Sequence, residues 1–191
     1  INSAGKIAIG LDANDELVWV RQTTGNNDIV LVTQKGKAIR FDVNDVRPMG
    51  RPAAGVRGIR LIGDDVVIAS DVATDADDLL VIGAKGLGKR TPLNQYRDIK
   101  RGGQGVTAMK LTDRTGDIVG AAIVKGDETV VLLSTAGQMI RIPCSQINQS
   151  GRATQGVTLM RMSNAGEQVA SITVAPQIDD SGAVEDGQEL S

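Results

Sequence analysis

The chain has 191 residues, enough for one or two ordinary domains, and carries 21 Lys and Arg against 23 Asp and Glu, a formal net charge of −2. So balanced a total argues, taken alone, against a polyanion partner, and the lack of histidine excludes Ser-His-Asp and Cys-His catalysis and histidine-based metal sites. Cys144 is the one cysteine, so no internal disulfide can form, and no apolar run approaches the roughly 20 residues of a membrane helix.

In chain order, GKIAIGLD (5–12) reads as a short closing strand and LVWVRQ (17–22) as a strand of apolar and β-branched residues. IVLVT (29–33) is a short continuous apolar run, the pattern of a strand buried on both faces. The turn QKGK (34–37) leads from it into a second strand, a hairpin signature. A polar stretch and GRPAAGVRGIRL (50–61) follow. The series then begins again with VVIASDV (66–72), LLVIG (79–83), AKGLGK and KRGGQGVTAMKL (100–111). A third round holds IVGAAIV (118–124), VVLLS (130–134), STAGQ and GRATQGVTLMRM (151–162). EQVASITVA (167–175) resembles the opening strand of one more round.

The landmarks keep one interval. Gly36, Gly86 and Gly137 stand 50 and 51 residues apart, as do Arg40, Arg90 and Arg141, then Gly55, Gly105 and Gly156, then Arg60, Lys110 and Arg161. Four series with one period identify a repeat. The expected fold class is therefore all-β, a propeller-like or pinwheel repeat of four-stranded blades of about 50 residues, here a partial set. We place a partial β-pinwheel over 1–176, with repeats at about 12–62, 63–112 and 113–163 and partial units at 1–11 and 164–176. Residues 177–191 hold five acids and no Lys or Arg, and are expected to form a flexible acidic tail. The start at Ile1, without methionine, is read as a cut from a longer protein.

The neutral total hides an uneven distribution. Residues 40–60 carry five Arg against two Asp, 85–110 seven cations against one Asp, and 141–161 three Arg and no acid. These blocks sum to +12, which leaves −14 for the remainder. A repeat sets equivalent residues at equivalent places, so the cations are expected to form a stripe suited to phosphates, with glycines beside it that let backbone approach and leave N–H groups free. The DNA-binding candidates are Arg51, Arg57, Arg60, Lys89, Arg90, Lys100, Arg101, Gly102, Gly103, Lys110, Arg141, Arg152 and Arg161. Asp28, Asp78 and Glu128 recur 50 residues apart and could instead pair with Arg40, Arg90 and Arg141. Tyr96 falls at the phase of Val46 and Ile147, so it is read as a loop anchor and not as a DNA-cleaving tyrosine. Trp19 is expected in the core, and Cys144 partly buried and inert. Neither metal nor cofactor is expected.

Blades of this length that end in GVRGIRL-like strands after Gly/Arg-rich loops resemble the C-terminal DNA-wrapping domain of the bacterial DNA gyrase A subunit, and less closely that of the topoisomerase IV A subunit. The resemblance covers the chain to about Pro176. It implies a six-bladed β-pinwheel whose neighbouring blades exchange strands and whose basic rim bends double-stranded DNA. That wrap would support ATP-dependent negative supercoiling by a type II topoisomerase, with the gyrase B subunit, plus a second copy of the A subunit, as partners. It also implies a bacterial cytoplasmic, nucleoid-associated setting, no membrane, and no catalytic site in this stretch. The family carries a box Gln-Arg-Arg-Gly-Gly-Arg-Gly in its first blade. Residues 99–105 here keep Arg101, Gly102, Gly103 and Gly105, with Lys100 as a conservative change, but lack the first Gln and last Arg. Either the full box lies upstream of Ile1, the reading we favour, or this stretch is a variant of it. Three units would leave an open arc, or exchange strands with a second copy. The alternative function is a β-propeller-type protein-interaction or chromatin-binding scaffold.

Overall fold

The computed structural model describes residues 5–176, and the acidic tail lies outside them. Eleven strands form among these residues: β1 (Asp28–Thr33), β2 (Lys37–Asp42), β3 (Val67–Ala73), β4 (Asp78–Gly83), β5 (Leu87–Pro92), β6 (Val106–Thr107), β7 (Ile118–Val124), β8 (Glu128–Ser134), β9 (Met139–Pro143), β10 (Val157–Thr158) and β11 (Val169–Pro176). One-turn 3-10 helices follow the second hairpin strands at Val43–Asp45, Leu93–Gln95 and Cys144–Gln146. Three antiparallel sheets result, with strand orders β3-β1-β2-β6, β10-β5-β4-β7 and β11-β8-β9.

The strand orders show how the repeat is wired. Each hairpin receives both of its outer strands from the following unit. The hairpin β1–β2 takes β3 on one edge and β6 on the other. The hairpin β4–β5 takes β7 and β10 in the same way, and β8–β9 takes β11. This wiring explains an expectation that fails. Residues 17–22 match β3, β7 and β11 in pattern, yet form no strand. Among the described residues no hairpin precedes them to supply a partner, and an unpaired strand is unstable in water. For the same reason the closing segments 5–12 and 55–61 are not strands, while their counterparts at 106–107 and 157–158 are.

The core lies between blades. Side chains of a strand alternate between its two faces, so Leu79 and Val81 of β4 enter one apolar cluster and Leu80 and Ile82 the next. The first cluster joins the β1–β2 sheet to the β4–β5 sheet through Val30, Val32, Leu93, Tyr96, Met109 and Ile118. The second joins the β4–β5 sheet to the β8–β9 sheet through Val130, Leu132, Cys144, Ile147 and Met160. A third packs Ile59 on Ile39 and Phe41. Every residue of β4 is buried, as its unbroken apolar run implies.

The glycine landmarks have a steric cause. At Gly86, with φ of +81°, a Cβ would stand 2.1 Å from the carbonyl oxygen of Met160, and the glycine oxygen accepts from the N–H groups of Leu159 and Met160. The hairpin turn is thus a docking point for the next unit's closing segment.

The inner strands β3, β7 and β11 lie side by side and line a groove of about 520 Å³. Trp19 borders this groove and is half-buried, not part of the core as expected. Arg21 anchors its segment by an ion pair with Asp71 at 3.2 Å.

Candidate nucleic-acid interface

The polar stretches that precede the closing strands are pinned to the preceding unit by hydrogen bonds. In the second unit, the N–H of Gly102 donates to Gly58 O at 2.5 Å and the N–H of Arg60 to Gly103 O at 2.8 Å. The Arg101 guanidinium donates through Nε to Asp45 O and through Nη1 to Arg57 O. Two Gly/Arg segments from successive units therefore run side by side. Arg57, Arg60 and Lys100 are exposed along them, and Arg51 is exposed at the start of the first. The third such segment, 150–156, is fastened to β5: Ser150 N donates to Arg90 O, and Thr91 Oγ1 donates to Ser150 O. Arg152 Nη1 reaches back to Thr107 O in β6 at 3.2 Å, and its guanidinium lies 5.8 Å from the centre of the Tyr96 ring. Lys110 N donates to Thr154 O. Hydrogen bonds thus link the Gly/Arg segments of the second and third units. Lys110, Arg141 and Arg161 are exposed as well.

Two candidates take other places. Lys89 is 1% exposed, and its ammonium donates to Gly151 O and Arg152 O, each at 2.6 Å. Burial pulls its pKa down to about 8, and the Arg152 charge adds to the effect. Arg90 pairs with Asp78 at 2.8 Å and donates through Nε to Ile147 O. Both are structural contacts between units, so neither is offered to a ligand. The reason is strand parity and strand exchange: β5 carries its next neighbour's turn on its outer edge. The N–H of Gly102 is likewise already taken by Gly58 O, so it is not free to bind an anion.

Of the recurring acids, Asp28 and Asp78 do pair with Arg40 and Arg90. Arg40 also donates to Asp75 and to the carbonyl oxygens of Leu93 and Tyr96. Glu128 instead accepts from its own neighbour, Lys125 N, and Arg141 has no ion-pair partner among the described residues. Tyr96 is buried, and burial pushes its phenol up to about 12, which suits an anchor and not a nucleophile. Cys144 is fully buried, with its thiol pushed up to about 11 chiefly by burial.

Lys35 and Lys37 lie outside the cations expected at the interface. With Arg60 and Gln104 they line a hollow of about 200 Å³ beside the first Gly/Arg segment. Their place in and beside the hairpin turn, with Lys35 at the phase of Lys85, is the sequence feature that marks them. Lys35 is partly held by Asp117 at 2.9 Å, which raises its pKa. A groove of about 920 Å³ is a different place: Asp28, Asp42, Asp75 and Asp98 line it against Arg40 and Arg97. Its excess of acid makes it a poor seat for a polyanion.

No helix among the described residues is long and apolar enough to cross a membrane. A family model described as the DNA gyrase C-terminal domain, a beta-propeller, matches residues 1–24, 27–73, 77–125 and 128–176. The DNA gyrase A subunit of Clostridium acetobutylicum is 44% identical over 191 residues, covering 100% of this chain and 23% of that protein. Its Staphylococcus epidermidis counterpart is 43% identical over 182 residues, covering 94% and 20%. The Klebsiella oxytoca counterpart is 38% identical over 178 residues, covering 93% and 20%. The solved C-terminal domain of DNA topoisomerase IV superposes with a TM-score of 0.81 at 26% identity, covering 88% of this chain and 53% of that one. The chain thus spans about a fifth of the length of the curated relatives it matches. With the family model covering most of its length, this chain belongs to the DNA gyrase C-terminal domain family.

Proposed function

We propose that this chain is a non-catalytic module that binds and bends double-stranded DNA along its Gly/Arg segments, as the wrapping part of a gyrase A subunit. The observation that carries this reading is the linkage of those segments. Exposed Arg57, Arg60 and Lys100 share one ridge, and Arg152 and Lys110 tie it to the next. Cations at such spacing displace the counterions condensed on DNA, which gives affinity without sequence reading. Any sequence preference would then come from how readily the DNA bends. In the longer protein the wrap would serve ATP-dependent negative supercoiling by a type II topoisomerase, with the gyrase B subunit plus a second copy of the A subunit, in the bacterial cytoplasm at the nucleoid. Family membership does not favour the scaffold alternative.

The test is duplex affinity against salt for the chain and for a variant with Arg57, Arg60, Lys100 and Lys110 changed to Ala. All four are exposed, so the fold should survive. Each lost phosphate contact should lower the log–log slope by about 0.9. A chain that fails to bind duplex at low salt, or a variant with unchanged slope, would overturn the reading.

A further inference from the structure

Lys89 poses a question that the DNA reading leaves open. Its counterparts one repeat away are Ile39 and Ile140, so this position of the hairpin is otherwise apolar. A buried ammonium is unfavourable unless hydrogen bonds replace its water. Here two carbonyl oxygens do so, Gly151 O and Arg152 O. The first also accepts from the hydroxyl and N–H of Thr154, which closes the turn 151–154.

The direction of those carbonyls matters. In a trans peptide the C=O and the following N–H point in opposite directions. With the carbonyls of Gly151 and Arg152 drawn inward onto Lys89, the N–H groups of Arg152 and Ala153 point outward. Neither N–H has an acceptor among the described residues. Successive outward amides beside an arginine make an anion-binding concavity. The second unit lacks it, because Gly102, at the position of Ala153, gives its N–H to Gly58 O. The first unit has Pro52 there, with no N–H to give.

We propose that the turn at Arg152 and Ala153 is a preformed seat for one phosphate oxygen, and that Lys89 is the positioning residue that holds it open from beneath. The proposal rests on the DNA reading above and names one turn within it. Lys89 acts through the backbone and touches no ligand. Its charge draws the carbonyls inward, so the seat weakens as that charge is lost. Arg152 is the charged group that acts on Lys89 directly; Arg90, next to Lys89 in β5, is paired with Asp78, and Tyr96 lies beneath the Arg152 guanidinium. With Tyr96 near 12, Lys89, near 8, is the one that titrates between pH 7 and 9.

The experiment measures duplex DNA affinity against salt at pH 7 and pH 9 for the chain, Lys89→Met and Ala153→Pro. Met follows the apolar choice at Ile39 and Ile140, and Pro follows Pro52, so each variant copies a neighbouring unit. At pH 7 each should bind about tenfold more weakly, with a slope reduced by about 1. The parent chain should lose affinity between pH 7 and 9 while K89M stays flat. Stability should move the other way. The folded pKa of Lys89 lies below its unfolded value, so the unfolded chain holds more protons in this window and the fold gains stability as pH rises. K89M with the affinity, slope and pH profile of the parent would overturn the seat while leaving DNA binding intact. Loss of DNA binding by the parent chain itself would overturn both.

Discussion

The guanidinium of Arg90 donates through Nε to the carbonyl oxygen of Ile147 at 2.8 Å, fastening one hairpin to the turn of the following unit. Arg40 makes the equivalent bond to Tyr96 O, and another to Leu93 O at 3.0 Å. The arginine series is therefore an interblade clamp where a following unit is present. Arg141, in the third sheet, stays exposed.

The clamp predicts a split within one repeat series. Arg90→Ala leaves Asp78 buried with only Gln149 as a partner, and breaking such a pair costs about 3–5 kcal/mol. For a chain of this size that is a fall in Tm of roughly 6–20 °C. Arg141→Ala removes an exposed side chain and should change stability by less than about 0.5 kcal/mol. Thermal melts of the two variants decide it, and equal shifts would contradict the clamp.

A second contrast lies in the hairpin glycines. Gly86→Ala puts a methyl group against Met160 O, a fixed backbone atom, while Gly137→Ala meets nothing within 4 Å. Both residues have positive φ, near +81° and +83°, so both substitutions carry about 1–2 kcal/mol of backbone strain. Only Gly86→Ala should also detach the closing strand β10 and the packing of Met160. Hydrogen exchange at Leu159 and Met160, whose N–H groups bond Gly86 O, should accelerate in the first variant and not in the second.

These contrasts mark what can be read from the sequence. Period, blade length and hairpins are legible because turn glycines and apolar strands are local features, and steric contact fixes their spacing. Strand exchange is not, because the partner of a strand lies in another unit. Residues 17–22 and 67–72 look alike, yet only the second has a hairpin to join. Lys89 and Arg90 read as rim cations because charge alone does not tell which face of a strand it occupies. The isoleucines at 39 and 140 hold that information for Lys89: an apolar position in two units faces inward in the third. Acid at the phase of Asp28 and Asp78 accompanies the paired Arg40 and Arg90. Glu128 holds the same phase beside an Arg141 with no ion-pair partner among the described residues, so the acid series alone does not tell which arginines are clamped.

Trp19, the sole tryptophan, offers a direct probe of the inner groove. Its segment is held near β3 by Arg21 and Asp71, whose ion pair is largely solvated and should contribute no more than about 1 kcal/mol. Arg21→Gln should therefore leave the melt almost unchanged while it frees residues 17–22; Asp71 is left in place because it also accepts from the N–H of Ile123 in β7. The fluorescence should shift to the red and become more open to acrylamide quenching. An unaltered spectrum would show that the segment is held by something other than this pair, and a large loss of stability that the pair contributes more than a solvated one should.

Cys144 tests the joint between the second and third blades. Its side chain is fully buried among Leu80, Val130, Ile147 and Met160, and the raised pKa keeps it a thiol at neutral pH. A thiol reagent should react with it only when that joint opens, so the labelling rate reports the opening. Leu80→Ala removes packing from the same cluster and should cost about 2–5 kcal/mol. If opening is in rapid equilibrium, labelling should speed up by roughly 30-fold or more, since each 1.4 kcal/mol is a factor of ten. Val32→Ala, in the cluster between the first and second blades, should leave the rate much closer to that of the parent, because only the first joint is weakened. Equal acceleration by both variants would mean that the blades open together and that the stack behaves as one cooperative unit.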